Sequence, residues 1–379
     1  MENTKTILIT GDYAPINRIE KLSVEGKHDE IFGDFLSVIK NADFSVINLE
    51  CPLTSVSSPI TKTGPALKAS PECIKSLAFA GIDLVTLANN HILDQGFIGL
   101  KDTLEICHQN KIATIGAGLS KKEASEVFYV NLGNTRVAFI AIAENEWSTI
   151  GYNNYGANPL NPVDNFYTIA EAKKNASIVI VIVHGGHEMY QLPSTRMQKT
   201  YRFFIDAGAD FVIGHHPHCV SGYEYYKDKP IIYSLGNFVF DNGKFGSLWN
   251  SGMAVLITMI DHKATFELIP FNQNGEKAGL QLLKSKEKDD FVTMINELNC
   301  IIDANMLEEE FKRFCQSRKK IYQSQIEPYS SKYLLFLRNK KMFPSYWKKT
   351  KKLLLENIIR CESHRDALLQ ILRNENSHT

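Results

Sequence analysis

No run of eighteen apolar residues occurs anywhere in the chain; the longest candidate, Ile178 to Val183, suits a buried strand and is too short to span a bilayer. Net charge is missing as well. With 42 basic residues against 42 acidic ones, there is no overall field to steer the chain toward nucleic acid or an anionic membrane. The seven cysteines, Cys51, Cys73, Cys107, Cys219, Cys300, Cys315 and Cys361, form no CxxC pair, and their odd number leaves at least one thiol unpaired. That spacing gives no support to a zinc site made from cysteines. Met1 to Lys5 leads straight into a short apolar strand without a secretory pattern, so a soluble protein of the reducing cytoplasm is expected. A GxxxxGK(S/T) loop is absent, since Gly243-Lys244 is followed by Phe245, which disfavours an ATP-driven ligase acting alone. No GxSxG elbow and no repeat of 20 to 50 residues is visible, so serine-nucleophile catalysis and a solenoid have nothing to rest on.

What the chain has is length and apolar material: 379 residues, 44% of them hydrophobic, enough for one large or two ordinary domains. Its first two-thirds alternates β-branched apolar runs with amphipathic stretches, the pattern of strands flanked by helices. The spacing predicts strands at Thr6 to Thr10, Phe44 to Asn48, Leu84 to Leu87, Arg136 to Ile142, Ile178 to Val183, Phe211 to Ile213 and Ile231 to Ser234. Helices are expected at Glu30 to Lys40, Pro71 to Ala80, Phe97 to Asn110, Asn165 to Asn175 and Thr195 to Ala207. Met253 to Met259 and Ala264 to Ile269 have no helix between them and read as an antiparallel pair. A mixed sheet, or two sheets packed face to face, follows. Ser55 to Pro65 and Gly151 to Pro162 read as surface loops able to cover a site.

After about Leu280 the β-branched runs give way to Lys, Arg, Glu and Leu with helical spacing at Phe291, Ile295, Leu298 and Ile302. Two regions are therefore expected, 1–280 and a helical 281–379. The second holds a basic stretch with aromatics, from Tyr333 through Arg338, Lys340, Lys341, Trp347, Lys348, Lys349, Lys351 and Lys352. It reads either as a solvated helix face or as peripheral contact with an anionic polymer, a membrane surface or an acidic partner.

Six polar clusters fall just after expected strands. They are Gly11-Asp12, Asn48-Leu49-Glu50, Asn89-Asn90-His91 with Asp94, His184-Gly185-Gly186-His187-Glu188, Gly214-His215-His216-Pro217-His218, and Ser234-Leu235-Gly236-Asn237. Taken singly, each has a plain structural explanation: Gly-Asp is a common turn, Glu caps helices, and a lone His sits satisfied in many cores. Together they are harder to dismiss, because loops at the carboxyl ends of strands converge and five of eleven histidines lie in two of these clusters. Imidazoles mixed with carboxylates suit Zn, Mn or Fe rather than Mg or Ca. A pair of such ions lowers the pKa of bound water and clamps an in-line displacement, the need of phosphate hydrolysis above all.

In this order the clusters resemble the CapA family, the poly-γ-glutamate capsule synthesis proteins, which is similar to the calcineurin-like metallophosphoesterases. The resemblance runs from about Thr6 to Phe271 and is most specific at Leu87 to Gly96, Gly214 to His218 and Tyr233 to Phe238. It implies an α/β fold, a β-sandwich of two mixed sheets flanked by helices, followed here by the helical region. It also implies a site with one or two divalent ions held by Asp12, Glu50, Asn90, His184, His216 and His218. His91 looks like the histidine that protonates the leaving oxygen or steadies a phosphoryl group. Asp94, His187 and Glu188 join it as candidate catalytic residues, and His215 and Asn237 as candidate substrate-binding residues.

Two departures stand out. Where the superfamily has Asp-x-His this chain reads Asp12-Tyr13-Ala14, so one imidazole is lost unless His187 or His215 replaces it. Glu50 also stands where aspartate is usual. Family members often carry an N-terminal membrane anchor that is not visible here. The leading expectation is a metal-dependent phosphomonoesterase or phosphodiesterase linked to capsule or surface-polysaccharide synthesis, acting on a small phosphorylated substrate. The alternatives are an accessory protein that binds the glutamate polymer and a metal-dependent γ-glutamyl amide hydrolase.

Overall fold

The computed structural model describes residues 4–151, 153–241, 246–260, 263–326 and 348–376, with single residues between 333 and 342. The chain begins with β1 (Lys5–Ala14), α1 (Arg18–Val24), α2 (His28–Phe32), α3 (Leu36–Asn41), β2 (Phe44–Leu49), α4 (Ile74–Ala80), β3 (Leu84–Thr86) and α5 (Gly96–Gln109). It continues through β4 (Ala113–Ile115), β5 (Ala117–Gly118), α6 (Lys121–Ala124), β6 (Phe128–Leu132), β7 (Thr135–Ala143), β8 (Gly156–Ala157), α7 (Pro162–Asn175) and β9 (Ile178–His184). Next come α8 (Thr195–Ala207), β10 (Phe211–His215), β11 (Tyr223–Tyr226), β12 (Lys229–Ile232), β13 (Asn237–Phe240), α9 (Ser247–Asn250), β14 (Ser251–Ile260), β15 (Lys263–Gln273) and β16 (Leu280–Leu282). The helical region supplies α10 (Ser285–Asp303), α11 (Leu307–Ile326), α12 (Lys349–Arg360) and α13 (Glu362–Asn376).

Two mixed sheets carry the architecture, as the resemblance implies. One runs β16-β15-β14-β1-β2-β3-β4 with β13 also paired to β1, and the other β11-β12-β10-β9-β7-β6. Strand periodicity explains how one run of apolar residues serves two cores. In β9, Ile178, Ile180 and Ile182 join the core between the sheets, while Val179, Val181 and Val183 face α7 and α8 on the outside. β7 divides the same way, with Phe139 and Ala141 inward and Ala138 and Ile140 outward. A strand buried on both faces needs the near-continuous apolar sequence that these two show.

The expected antiparallel pair is β14 with β15, in register from Ser251–Asn272 to Ile260–Lys263. The single helix expected over Glu30 to Lys40 is instead broken into α2 and α3 at Gly33, whose φ is +50°. A Cβ there would lie 2.2 Å from the Leu280 carbonyl oxygen, so close packing on β16 dictates the break. Of the basic aromatic stretch, Arg338, Lys341 and Trp347 lie outside the described residues. Further on, α10 sends Phe291 and Ile295 into the core between the sheets, while α11 and α13 share a smaller core of Phe311, Cys315, Ala367 and Ile371. All seven cysteines are free, and no helix among the described residues is long and apolar enough to cross a membrane.

Candidate metal centre

The parallel strands deliver their carboxyl ends to one place. β9 ends on His184 and β10 on His215, and β1 runs on past Asp12 to Ala14, so these three site residues belong to strands rather than to following loops. Asp12 is paired with Asn48 on one side and Asn237 on the other, and the β1 register shifts there on both sides. Gly11 permits that approach, because a Cβ on it would meet the Gly236 carbonyl oxygen at 2.0 Å. In the turn after β10, His216 and His218 flank Pro217 with φ of +97° and +56°. Positive φ is costly for histidine, and here it belongs to two of the three histidines grouped with the acids at the centre.

Asp12 and Glu50 are fully buried at that centre. Asp12 Oδ1 accepts from Asn48 Nδ2 at 2.7 Å, and Oδ2 accepts from the His216 backbone N–H at 3.2 Å. His184 Nε2 lies 3.1 Å from Asn90 Oδ1, 3.2 Å from His216 Nδ1 and 3.4 Å from Glu50 Oε1. Its Nδ1 takes the other Asn48 contact at 3.2 Å. His218 lies 3.6 Å from Asp12 Oδ2 and 3.7 Å from Glu50 Oε1 through its two ring nitrogens. Two ligand groups therefore share Glu50: Asp12, Glu50 and His184, and Glu50, His216 and His218.

Neither carboxylate oxygen of Glu50 has a hydrogen-bond partner among the described residues, although both are buried. Burial, followed by the nearby Asp12 and Glu188 charges, pushes its carboxyl well above the usual range. Burial and then His216 push the His184 imidazole well below its own. A buried carboxylate without a cation costs several kcal/mol. Carboxylate oxygens, an amide oxygen and neutral imidazole nitrogens aimed at one another make a donor set that fits a divalent cation.

The other expected residues divide by position. His91 Nδ1 lies 2.6 Å from Asp94 Oδ2, and burial, then Lys62, lowers the imidazole pKa. Asn237 Oδ1 lies 2.9 Å from His218 Nδ1 while its amide nitrogen donates to the His218 and Trp249 carbonyls. Its side chain is thus committed to holding His218. His215 Nε2 donates to the Thr10 carbonyl at 2.9 Å. Glu188 is exposed as a residue while its carboxyl is turned in among neighbours; that enclosure would raise the carboxyl, but His216 and His218 outweigh it and hold it below the usual range.

His187 stands apart from the ligand groups, its ring 4.9 Å from Phe311 and 5.8 Å from Phe314. Burial lowers its pKa to about 3, against an opposing pull from Glu144, so the ring is neutral at pH 7. Ala14 is buried and paired with Phe240 of β13, and His218 packs edge-on against that phenylalanine at 5.4 Å.

Some residues were missed. Asn48 joins Asp12 to His184, and Asn-Leu-Glu after a strand had drawn attention only to its glutamate. Lys62, on the Ser55 to Pro65 loop, is almost wholly buried in an ion pair with Asp94 at 2.5 Å and lies 3.4 Å from His91 Nδ1. Glu144 and Glu146 follow β7 as a seventh strand-end cluster, and Glu146 Oε1 is 4.0 Å from His216 Nε2. Beyond it α13 closes the side of the site: Glu362 accepts from Asn145 N at 2.9 Å and Nδ2 at 2.6 Å, and Ser363 donates to Glu144.

Residues 6–242 match the family described as bacterial capsule synthesis protein PGA_cap. The capsule biosynthesis protein CapA of Bacillus anthracis is 32% identical over 259 residues, covering 64% of this chain and 61% of that protein. The PGA biosynthesis protein CapA of Bacillus subtilis is 32% identical over 237 residues, covering 62% of each. The chain thus spans about three-fifths of the length of these curated relatives. A hypothetical protein from Thermus thermophilus shows a more distant likeness, with a TM-score of 0.46 at 13% identity over 71% of this chain and 100% of that one.

Proposed function

The chain belongs to the bacterial capsule synthesis protein family, and from that membership we propose that its strand-end centre is a metal-dependent hydrolase site acting on a phosphate ester in surface-polymer synthesis. The observation that carries this reading is Glu50, buried between two histidine-containing ligand groups with no hydrogen-bond partner for either oxygen among the described residues. In this reading Asp12, Glu50, Asn90, His184, His216 and His218 hold one or two ions of Mn, Zn or Fe. Such an ion activates water near neutral pH and offsets charge on a reacting phosphoryl oxygen. Asn48 and Asn237 keep the rings and carboxylates aimed. With its Nδ1–H on Asp94, neutral His91 presents a bare Nε2, which can take a proton from water and then pass it to the leaving oxygen. Lys62 adds a positive charge where an anionic substrate group would lie.

The test is turnover of a chromogenic phosphodiester and phosphomonoester by the metal-loaded protein, beside a γ-glutamyl amide substrate. Phosphate release should be abolished by Asp12→Asn and by His216→Ala, with circular dichroism unchanged. Equal rates in both variants and the parent, or cleavage of the amide alone, would defeat the phosphoesterase reading.

A further inference from the structure

Outside the strand-end centre, one more group of metal-ligating side chains converges among the described residues. Glu146 follows β7, Cys361 joins α12 to α13, and His364 sits in the first turn of α13, with ligand atoms all within 4.8 Å of one another. We propose that Glu146, Cys361 and His364 form a second, zinc-type metal site that fastens the C-terminal helices to the sandwich.

A thiolate, an imidazole and a carboxylate together are a borderline-soft donor set, suited to zinc with a fourth position left for water or another group. In a tetrahedral zinc site, ligand atoms at 2.0–2.3 Å from the ion stand about 3.3–3.8 Å from one another, so the three need close by only about 1 Å. The strand-end ligand groups contain no sulfur, so the two sites differ in chemistry, although they adjoin where Glu146 Oε1 lies 4.0 Å from His216 Nε2.

Simple packing explains this group less well. Cys361 is 1% exposed and a small apolar residue would fill its space equally. Glu146 has only 11% of its side chain exposed, and its ion-pair contact among the described residues is His216 at 4.0 Å. An acid left in that state calls for a positive charge beside it.

Both walls of the group are braced. Arg360 donates to the Glu146 backbone carbonyl at 3.1 Å and lies over the Trp147 ring at 5.7 Å, while Glu362 grips Asn145. Tyr322 on α11 meets His364 Nδ1 at 3.0 Å, the kind of partner that fixes ring orientation in metal-bound histidines. Reading the sequence for CxxC spacing could not find this site, because its one cysteine lies more than 200 residues from its carboxylate.

The test uses the full chain, stripped with a chelator and titrated with cobalt(II). Ligation by Cys361 should give a near-ultraviolet thiolate-to-cobalt charge-transfer band whose limiting intensity corresponds to one thiolate-bound ion per chain. It should vanish in Cys361→Ser, weaken at least ~10-fold in apparent affinity in His364→Gln, and survive in Asp12→Asn. Absence of the band in the parent, or its persistence in Cys361→Ser, overturns the proposal. Should Cys361→Ser fail to fold, His364→Gln carries the test: unchanged cobalt affinity in a natively folded His364→Gln also overturns it. The band reports sulfur alone, so its outcome is independent of whether the strand-end centre is a phosphoesterase.

Discussion

Glu50 and Glu144 are both buried carboxylates just beyond the carboxyl end of a strand, and their surroundings are opposite. Glu144 is enclosed by partners: Arg196 Nη2 at 2.5 Å, the Ser363 hydroxyl and the Gly186 N–H at 3.3 Å. Burial works against its charge, but Arg196 prevails and holds the carboxyl down at about 2. Glu50 has the same burial and no such partner. A buried acid whose cation is another side chain is part of the framework. One whose cation must come from outside marks a binding site. The chain places the two kinds close together, the first in the seam against α13 and the second at the centre of the sandwich.

That contrast can be broken by substitution. Glu144→Gln leaves Arg196 with Asp366 as its remaining acid, and the loss should be about 1.5–3 kcal/mol by chemical denaturation. A cost no larger than that of a surface substitution would mean that the seam is not structural. Glu50→Gln should do the reverse. Metal-free stability should stay level or rise, while turnover and metal affinity fall by more than the ~100-fold that loss of an outer-shell partner can reach. Destabilisation of the metal-free chain would put Glu50 in the same class as Glu144. Asn237→Ala tests a step out from the ligands: releasing His218 should weaken metal binding by about 10–100-fold, with a stability loss of about 1–3 kcal/mol because the His218 and Trp249 carbonyls lose the Asn237 donor. Glu362→Gln keeps one acceptor for Asn145 and should cost only about 1 kcal/mol of stability, read by denaturation, with metal content at the strand-end centre unaltered.

Much of the centre was legible because its chemistry is local to strand ends. Asp12, Glu50, Asn90, His184, His216 and His218 each follow or finish an apolar run, and parallel strands in a sheet bring such ends together without further information. What stayed hidden depends on pairings between distant segments. Nothing near Asn237 announces that β13 will lie parallel to β1 and turn the Asn237 amide toward His218. Lys62 sits in a Ser, Thr and Pro-rich loop whose path only Asp94 explains. The helix break at Gly33 needed knowledge of β16, far along the chain. Glu144 and Glu146 were within reach, since the same reading after β7 would have picked them out. The missing histidine at Ala14 was also legible, but that β13 and Phe240 pack there was not.

The grip of Glu362 on Asn145 joins residues 217 positions apart. During synthesis every strand of the sandwich, and with it the whole strand-end ligand set, is made well before that grip can close. A nascent chain therefore passes through an interval in which Glu144 and Arg196 lack Ser363 and Asp366 and the side of the site stands open. Premature release or truncation before α13 would preserve the sequence of the centre while leaving it without its last wall.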